Sequence, residues 1–309
     1  MALAMASLRP PAPRPTALTA FLVGSIGIAT FSGMDAVMKG LVIALGIYPT
    51  MLFRMWSGVA MSGILFAARP VRPARATMRI HLVRGILTVV MAMLFFWGLA
   101  KVPLAQAIAL AFIAPLISLF LAAAFLGETI GRKTIVGSII AFAGVMLIFT
   151  GQARADLGHD ALLGSLAILV SAICYAVNII LMRSQALVAG PIEIAFFQNL
   201  IVAVALLVAW PLFGGAALPP TDQIPFVLLA ALLSTASQLL LSWAYARAEA
   251  SYLAATEYTS FLWAMLFGWL VFWESVSPFT LAGAALIVAG CFLAARRPED
   301  VTPSLEVAA

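Results

Sequence analysis

The chain has 309 residues, of which 64% are hydrophobic and only 9% are charged, and its mean hydropathy is +1.12. A soluble domain carries roughly 25% charged residues, so this composition excludes a soluble globular protein and indicates an integral membrane protein. The net charge of +5 does not indicate nucleic-acid binding, because the basic residues stand at the ends of apolar runs rather than in a patch.

Apolar runs bounded by proline, glycine and charged residues predict an all-α protein with ten transmembrane helices. A spanning helix needs about 20 residues, and ten such helices fit within the 309 positions. In chain order the predicted spans are residues 18–43, 49–67, 80–100, 104–126, 133–150, 162–182, 191–213, 224–246, 252–273 and 278–295. Residues 1–17 and 297–309 are predicted to be short tails outside the membrane.

The sequence contains an internal repeat. Residues 79–150 recur without a gap at residues 225–296, at an offset of 146. The clearest matched pairs are Trp97 with Trp243, Ala100 with Ala246, Glu128 with Glu274, Gly137 with Gly283 and Gly144 with Gly290. Duplication of so long a unit in a membrane protein is typical of transporters whose two halves enclose a central site. We therefore predict two five-helix domains, at residues 18–150 and 162–296.

The basic residues predict how the helices cross the membrane, since cytoplasmic loops are enriched in Lys and Arg. With a cytoplasmic amino terminus, twelve of the 17 basic residues fall on that side: Arg9, Arg14, Arg69, Arg72, Arg75, Arg79, Arg132, Lys133, Arg183, Arg247, Arg296 and Arg297. Three fall on the other side, namely Lys39, Lys101 and Arg154. Both termini are thus predicted to be cytoplasmic. Because five spans is an odd number, the second repeat must cross in the opposite sense, which predicts inverted repeats.

Residues 84–149 contain a set of short motifs, some of which have counterparts in the second half of the chain. They are the opening Arg84-Gly85, Ala105 and Ala109 ahead of Pro115, the pair Gly127-Glu128, and the spacing from Gly137 to Gly144. The second half has Trp273-Glu274 in place of Gly-Glu and Phe261 in place of Pro115. Together these features resemble the EamA-type branch of the drug/metabolite transporter superfamily.

The resemblance implies a multi-pass protein of the bacterial inner membrane that works by alternating access as a secondary exporter, without a cofactor, as a monomer or weak homodimer. Members of this superfamily move amino acids, other metabolites, nucleotide derivatives and drugs. The chain looks most like the ten-span bacterial amino-acid exporters, including those for aromatic amino acids. Small amphiphilic metabolites, most of all apolar or aromatic amino acids, are therefore the expected substrates. Drugs or nucleotide-type metabolites are the alternative.

Polar and aromatic residues inside the spans are the candidate substrate-binding residues, since polar groups in lipid are costly unless they face protein or water. Helical spacing aligns such residues on one face in each of the sixth, eighth and ninth spans. The predicted set is Asp35, Arg54, Trp97, Tyr175, Asn178, Gln238, Ser242, Tyr258, Ser260 and Trp263. Two structural roles remain open as alternatives to substrate binding. The hydroxyl groups can instead bind backbone carbonyls or neighbouring helices, and Trp97 and its mate Trp243 can instead belong to an interfacial aromatic belt.

The charged residues within and beside the spans divide into two classes. Glu128 and Glu274 recur symmetrically and are predicted to have a structural role. Glu257 has the neutral Ala111 as its repeat mate, so it is a candidate proton carrier, or else a hydrogen-bonding residue between helices. Asp35 and Lys39 are four residues apart and are expected to be able to pair on one helix.

Glycines on one face of the fifth and tenth spans predict close helix packing rather than substrate contact. They are Gly137, Gly144, Gly283 and Gly290.

Two other protein classes are weighed against a transporter: an integral-membrane lipid-modifying enzyme and a channel. No Walker-type phosphate loop is present, His81 and His159 are predicted to be isolated at span ends, and Cys174 and Cys291 lie within apolar runs. These features provide no catalytic or metal-ligand spacing. Two complete inverted halves favour alternating access over a channel.

Overall fold

The structure is a computed structural model of the chain, and it describes residues 17–114, 116–117, 120–121, 132–154, 158–213, 218–245, 247, 256 and 259–295. These residues form ten α-helices and one short 3-10 helix, Trp210–Phe213. The α-helices are α1 Ala17–Leu45, α2 Ile47–Ala67, α3 Arg75–Leu99, α4 Leu104–Ala111, α5 Arg132–Arg154, α6 Gly158–Ala186, α7 Pro191–Val208, α8 Ile224–Tyr245, α9 Ser260–Phe272 and α10 Pro278–Ala295.

Six of these helices are long and apolar enough to cross a membrane by themselves: α1, α2, α3, α6, α7 and α8. Shorter apolar stretches occur in α5, α9 and α10. Large apolar side chains such as Ile64 and Ile139 face outward, as expected for a surface in contact with lipid. The predicted all-α membrane fold with ten helices is therefore confirmed.

The boundaries of the helices differ from the predicted spans in a few places. α3 begins at Arg75 rather than at residue 80, because its first turns carry Arg75 and Arg79, which end an apolar run without ending a helix. α7 ends at Val208 and gives way to the 3-10 helix that contains Pro211. Proline lacks the amide hydrogen that an α-helix requires. Residues 252–255, 257 and 258, which the sequence assigns to the ninth span, lie outside the described residues.

The helices of the two repeats pair across the molecule in a symmetric pattern. α1 packs against α8, and its repeat mate α6 packs against α3, which is the mate of α8. α2 packs against α7, α4 against α9 and α5 against α10, and each of these is a pair of mates. Exchanging the repeats leaves this set of pairs unchanged, which is the property of a two-fold axis.

The contact between α5 and α10 shows that the repeats are inverted. Gly144 lies against Gly283, and Gly137 lies against Gly290. Residue numbers rise along one helix as they fall along the other, so the two helices are antiparallel. The offset of 146 converts one contact into the other. Because mates run in opposite directions, the predicted inverted repeat is present in the structure.

The same contact depends on the absence of side chains. A Cβ atom on Gly144 would lie 2.6 Å from the carbonyl oxygen of Gly283, and one on Gly290 would lie 2.4 Å from the carbonyl oxygen of Gly137. The neighbouring atoms are backbone atoms, which cannot move aside without displacing the helix. These four glycines therefore lie where two backbones approach most closely.

Replacing Gly144 with alanine should destabilise the protein, since overpacking of this kind costs about 1 to 3 kcal/mol. Thermal unfolding of the purified protein in detergent, followed by size-exclusion chromatography, measures the effect as a lower Tm. Gly40→Ala is the matched control, because its added Cβ would lie 3.9 Å from Phe272, an ordinary contact. Equal Tm values for the two variants would contradict the close approach of α5 and α10.

Candidate functional site

A cavity of about 140 Å³ lies between the two repeats. The first repeat contributes residues of α1, α3 and α4, and the second contributes residues of α6 and α9. The wall is mainly apolar and aromatic: Ile28, Phe31, Met91, Ala92, Phe95, Phe96, Ile108, Ala111, Phe112 and Ala172. Its polar members are Asp35, Ser171, Tyr175 and Ser260. An apolar cavity with a few convergent polar groups is the usual form of a small-molecule site.

Asp35 is the charged residue among the described lining residues of this cavity. It is 1% exposed, and neither carboxylate oxygen has a hydrogen-bond partner among the described residues. Arg54 on α2 interacts with it electrostatically without donating a hydrogen bond to it. Burying a charge without a direct partner is costly. A ligand that donates hydrogen bonds to the Asp35 carboxylate would offset this cost.

A polar group formed by α2 and α8 lies beside Asp35. The Arg54 guanidinium donates to the Ser234 hydroxyl, and the Gln238 amide donates to the same hydroxyl oxygen at 3.3 Å. The Nε of Arg54 and the Oε1 of Gln238 are buried and have no partner among the described residues. None of the three residues belongs to the described wall of the cavity.

The structure brings together only part of the predicted substrate-binding set. Asp35, Tyr175 and Ser260 line the cavity. Arg54 and Gln238 lie in the neighbouring polar group. Tyr258 lies outside the described residues, as do Glu257 and Glu128.

The remaining predicted residues lie elsewhere. The Asn178 side chain, predicted to face the cavity, instead accepts a hydrogen bond of 3.0 Å from the Nε of Arg84. Trp263 stacks on Phe267 with 6.2 Å between ring centroids, and Ser242 is half-buried on α8. A helical stripe identifies residues that share a face, but it does not identify what that face contacts.

Trp97 lies at a second, wider cavity of about 640 Å³. Its ring is 4.7 Å from the ammonium group of Lys101. Lys101 also contacts the exposed Asp160 at 3.2 Å. The structure thus separates Trp97 from the central cavity and places it in an exposed cation–π contact.

Lys39 pairs with Glu274 and not with Asp35. Its ammonium group contacts the Glu274 carboxylate and donates to the Val102 carbonyl at 2.6 Å. The other Glu274 oxygen accepts the backbone N–H of Leu104 at 2.7 Å, at the first residue of α4. Glu274 therefore joins α1 and α4 to the segment before α10. The expected pairing of Asp35 with Lys39 is wrong, because Lys39 binds the carboxylate of Glu274, which is 235 positions away in the sequence.

A buried polar chain connects α3, α6 and α7 at the opposite end of the bundle. His81 contacts Glu193 through Nε2 at 3.2 Å, and it contacts the Gln185 amide nitrogen through Nδ1. The Gln185 oxygen accepts from Arg84. Since Arg84 only donates, the Gln185 amide nitrogen must face His81, so Nδ1 accepts and Nε2 donates to Glu193. The prediction that His81 is isolated is therefore wrong, because His81 contacts both Glu193 and Gln185.

Sequence reasoning missed this chain because its members are far apart in the sequence. His81 is 112 positions from Glu193 and 104 positions from Gln185. The available indication is that three polar residues in the apolar helices, His81, Arg84 and Gln185, have neutral or apolar repeat mates. Phe197 also stacks on the His81 ring, with 4.9 Å between centroids.

Ten apolar helices in two inverted repeats, with a cavity at their interface, define a membrane transporter of the inverted-repeat class. Residues 18–150 and 162–296 each match the model of the EamA-like transporter family. The chain belongs to this family, whose members are transporters.

Several curated proteins are similar to the chain. The pseudopaline exporter CntI of Pseudomonas aeruginosa is 28% identical over 277 residues, which cover 89% of this chain and 95% of the exporter. The riboflavin transporter of Rhizobium johnstonii is 31% identical over 67% of each chain. The “Probable terminal-alkyne amino-acid exporter” of Streptantibioticus cattleyicolor is 31% identical over 65% of this chain and 67% of its own length.

A solved crystal structure of another protein has the same fold. Its TM-score is 0.63 at 19% identity, and the match covers 91% of this chain and 98% of that chain.

Removing Glu274 should destabilise the protein, because its ion pair with Lys39 is largely buried, and removing one partner of a fully buried pair costs about 3 to 5 kcal/mol. We expect Glu274→Ala to lower the Tm by more than Asp160→Ala, which breaks the exposed pair with Lys101 and is worth about 1 kcal/mol or less. In the double variant Lys39→Met/Glu274→Ala the loss should be smaller than the sum of the single losses. Additive losses in this cycle would show that the two residues do not interact.

Gln185→Leu should also lower the Tm, since it removes the hydrogen-bond partner of the His81 Nδ1 and that of one Arg84 nitrogen, and an unsatisfied buried group costs about 1 to 3 kcal/mol. Ser184→Leu is the control, because Ser184 is exposed and binds only the backbone of its own helix. Thermal unfolding in detergent compares the two. A Gln185→Leu protein as stable as the Ser184→Leu protein would mean that the polar chain adds no stability.

Proposed function

We propose that the protein is a secondary exporter of the bacterial inner membrane for small amphiphilic metabolites, most of all amino acids with apolar or aromatic side chains. It works by alternating access between its inverted repeats, with both termini in the cytoplasm. The observation that carries this proposal is the cavity between the repeats, where aromatic side chains and the buried Asp35 carboxylate line the same wall.

The size of the cavity supports a substrate with an aromatic or aliphatic side chain. An apolar protein cavity of roughly 150 Å³ accommodates a benzene ring, and this one measures about 140 Å³. Phe31, Phe95 and Phe112 in its wall offer large apolar surfaces and ring faces that attract a cation. Ser171, Tyr175 and Ser260 provide polar atoms for the rest of a small zwitterion.

The names of the relatives support export and the amino-acid class. Two of the three named above are exporters, and one of these is named for an amino acid. The riboflavin transporters among the relatives favour a second candidate function, the transport of larger aromatic metabolites. A transport panel that includes riboflavin separates these two functions.

The inverted repeat supports alternating access. Lys39 and Glu274 hold one end of the helix bundle together, and the chain from Glu193 to Arg84 holds the other end. Opening either end in turn exposes the cavity to one side of the membrane. A proton gradient is a candidate energy source. Glu257 is a candidate proton carrier, and a hydrogen bond between helices is its alternative role. Comparing transport with and without an imposed pH gradient tests this step.

The decisive experiment measures uptake of labelled amino acids into proteoliposomes that contain the purified protein. Ala172→Trp should reduce transport to less than about one tenth, because the indole fills the cavity wall that Ala172 lines. Ile173→Trp is the matched control, since Ile173 is the next residue on α6 and is 50% exposed toward lipid. If Ala172→Trp is folded and transports as fast as Ile173→Trp, the cavity is not on the substrate pathway.

A further inference from the structure

We infer that Asp35 selects substrates with a positively charged amine by binding their ammonium group inside the central cavity. This inference rests on the proposed function and assigns the chemistry of its site. It starts from a carboxylate that is buried, lines the cavity and has no hydrogen-bond partner among the described residues.

No other described side chain neutralises Asp35 by direct contact. Lys39, one helical turn away on α1, is bound to Glu274 and to the Val102 carbonyl. Arg54 is near enough to interact electrostatically, but its guanidinium donates to Ser234. The carboxylate thus faces the cavity with its hydrogen-bonding capacity unused. Arg54 is a positioning residue here, since its charge partly offsets the cost of burying an anion.

The chemistry of the cavity matches an ammonium group better than it matches an anion. A carboxylate only accepts hydrogen bonds, whereas an ammonium group has three donors. The described lining contains no Lys, Arg or His that could bind an anion. Aromatic rings beside the carboxylate, such as Phe31 and Phe95, add cation–π attraction. A substrate amine would therefore bind between Asp35 and these rings.

The repeat supports a specific role for the charge. α1 and α6 are related by an offset of 140, as Gly24 with Gly164 and Ala36 with Ala176 show. At this offset the mate of Asp35 is Tyr175, and both residues line the same cavity. The cavity is thus built from equivalent positions of the two repeats, one with a carboxylate and the other with a phenol. Among the described lining residues the charge lies on one side of the cavity, which gives a bound amine a preferred orientation.

Three probes of similar shape test the inference: L-phenylalanine, 2-phenylethylamine, which lacks the carboxylate, and 3-phenyllactate, in which a hydroxyl replaces the amine. Equilibrium competition against labelled L-phenylalanine gives their relative affinities for the purified protein. We expect the wild type to bind both amines at least roughly tenfold more tightly than phenyllactate, because a hydrogen bond to a charged group strengthens binding by about that factor or more. Asp35→Asn keeps the shape and removes the charge, so this preference should disappear.

The controls separate a failed fold from a failed inference. Asp160→Asn removes an exposed carboxylate and should keep the wild-type preference. Asp35→Glu keeps the charge and should retain selection for amines. If Asp35→Asn is too unstable to assay, the wild-type ratio of phenylethylamine to phenyllactate decides, and equal affinities overturn the inference.

The remaining outcomes are distinct. Amine preference that survives in Asp35→Asn overturns the inference and leaves the proposed function intact. Normal amine binding in Asp35→Asn with loss of pH-gradient-driven transport also overturns it, and assigns Asp35 to proton coupling. A wild-type protein that binds and transports none of the amino acids tested overturns the proposed function, and the inference with it.

Discussion

The hydrocarbon core of a membrane offers no water, so every polar group within it needs a partner inside the protein. Most polar groups of this chain meet that requirement through contacts between helices. Lys39 has Glu274, Ser171 donates to the Met91 carbonyl at 2.8 Å, and Arg84 has Asn178 and Gln185. Other buried side chains, such as Gln198, also keep polar atoms without a partner among the described residues. Asp35 differs from them because it is a carboxylate and because it lines the central cavity.

The two repeats share one backbone plan but differ in how they use polar residues. In the group formed by α3, α6 and α7, donors and acceptors are matched into a continuous chain from Glu193 to Asn178. In the equivalent group formed by α8, α1 and α2, Arg54 and Gln238 retain unpaired atoms, and Asp35 faces the cavity. The two groups therefore differ in how completely their polar atoms are paired, although the helices that carry them follow one backbone plan.

The architecture could be predicted from the sequence, but much of the site could not. The repeat at an offset of 146 residues and the apolar runs determine the helices and their inverted sense, because both depend on patterns along the chain. Asp35, Tyr175 and Ser260 could be recognised as polar residues within apolar helices. The hydrogen bonds of Asn178 and His81 could not be predicted, because their partners Arg84 and Glu193 lie about a hundred positions away. Which face of a helix meets which neighbour is decided by packing, and spacing along a single helix does not contain that information.

The glycine contact between α5 and α10 has a consequence for how such proteins diversify. This helix pair holds the halves together through backbone contacts, and neither helix contributes a described residue to the cavity wall. Substitutions in the cavity therefore leave this attachment unchanged, and a lineage can acquire a new substrate without rebuilding its fold. Relatives named for pseudopaline, riboflavin and an amino acid, each 28% to 31% identical to this chain, fit such a history.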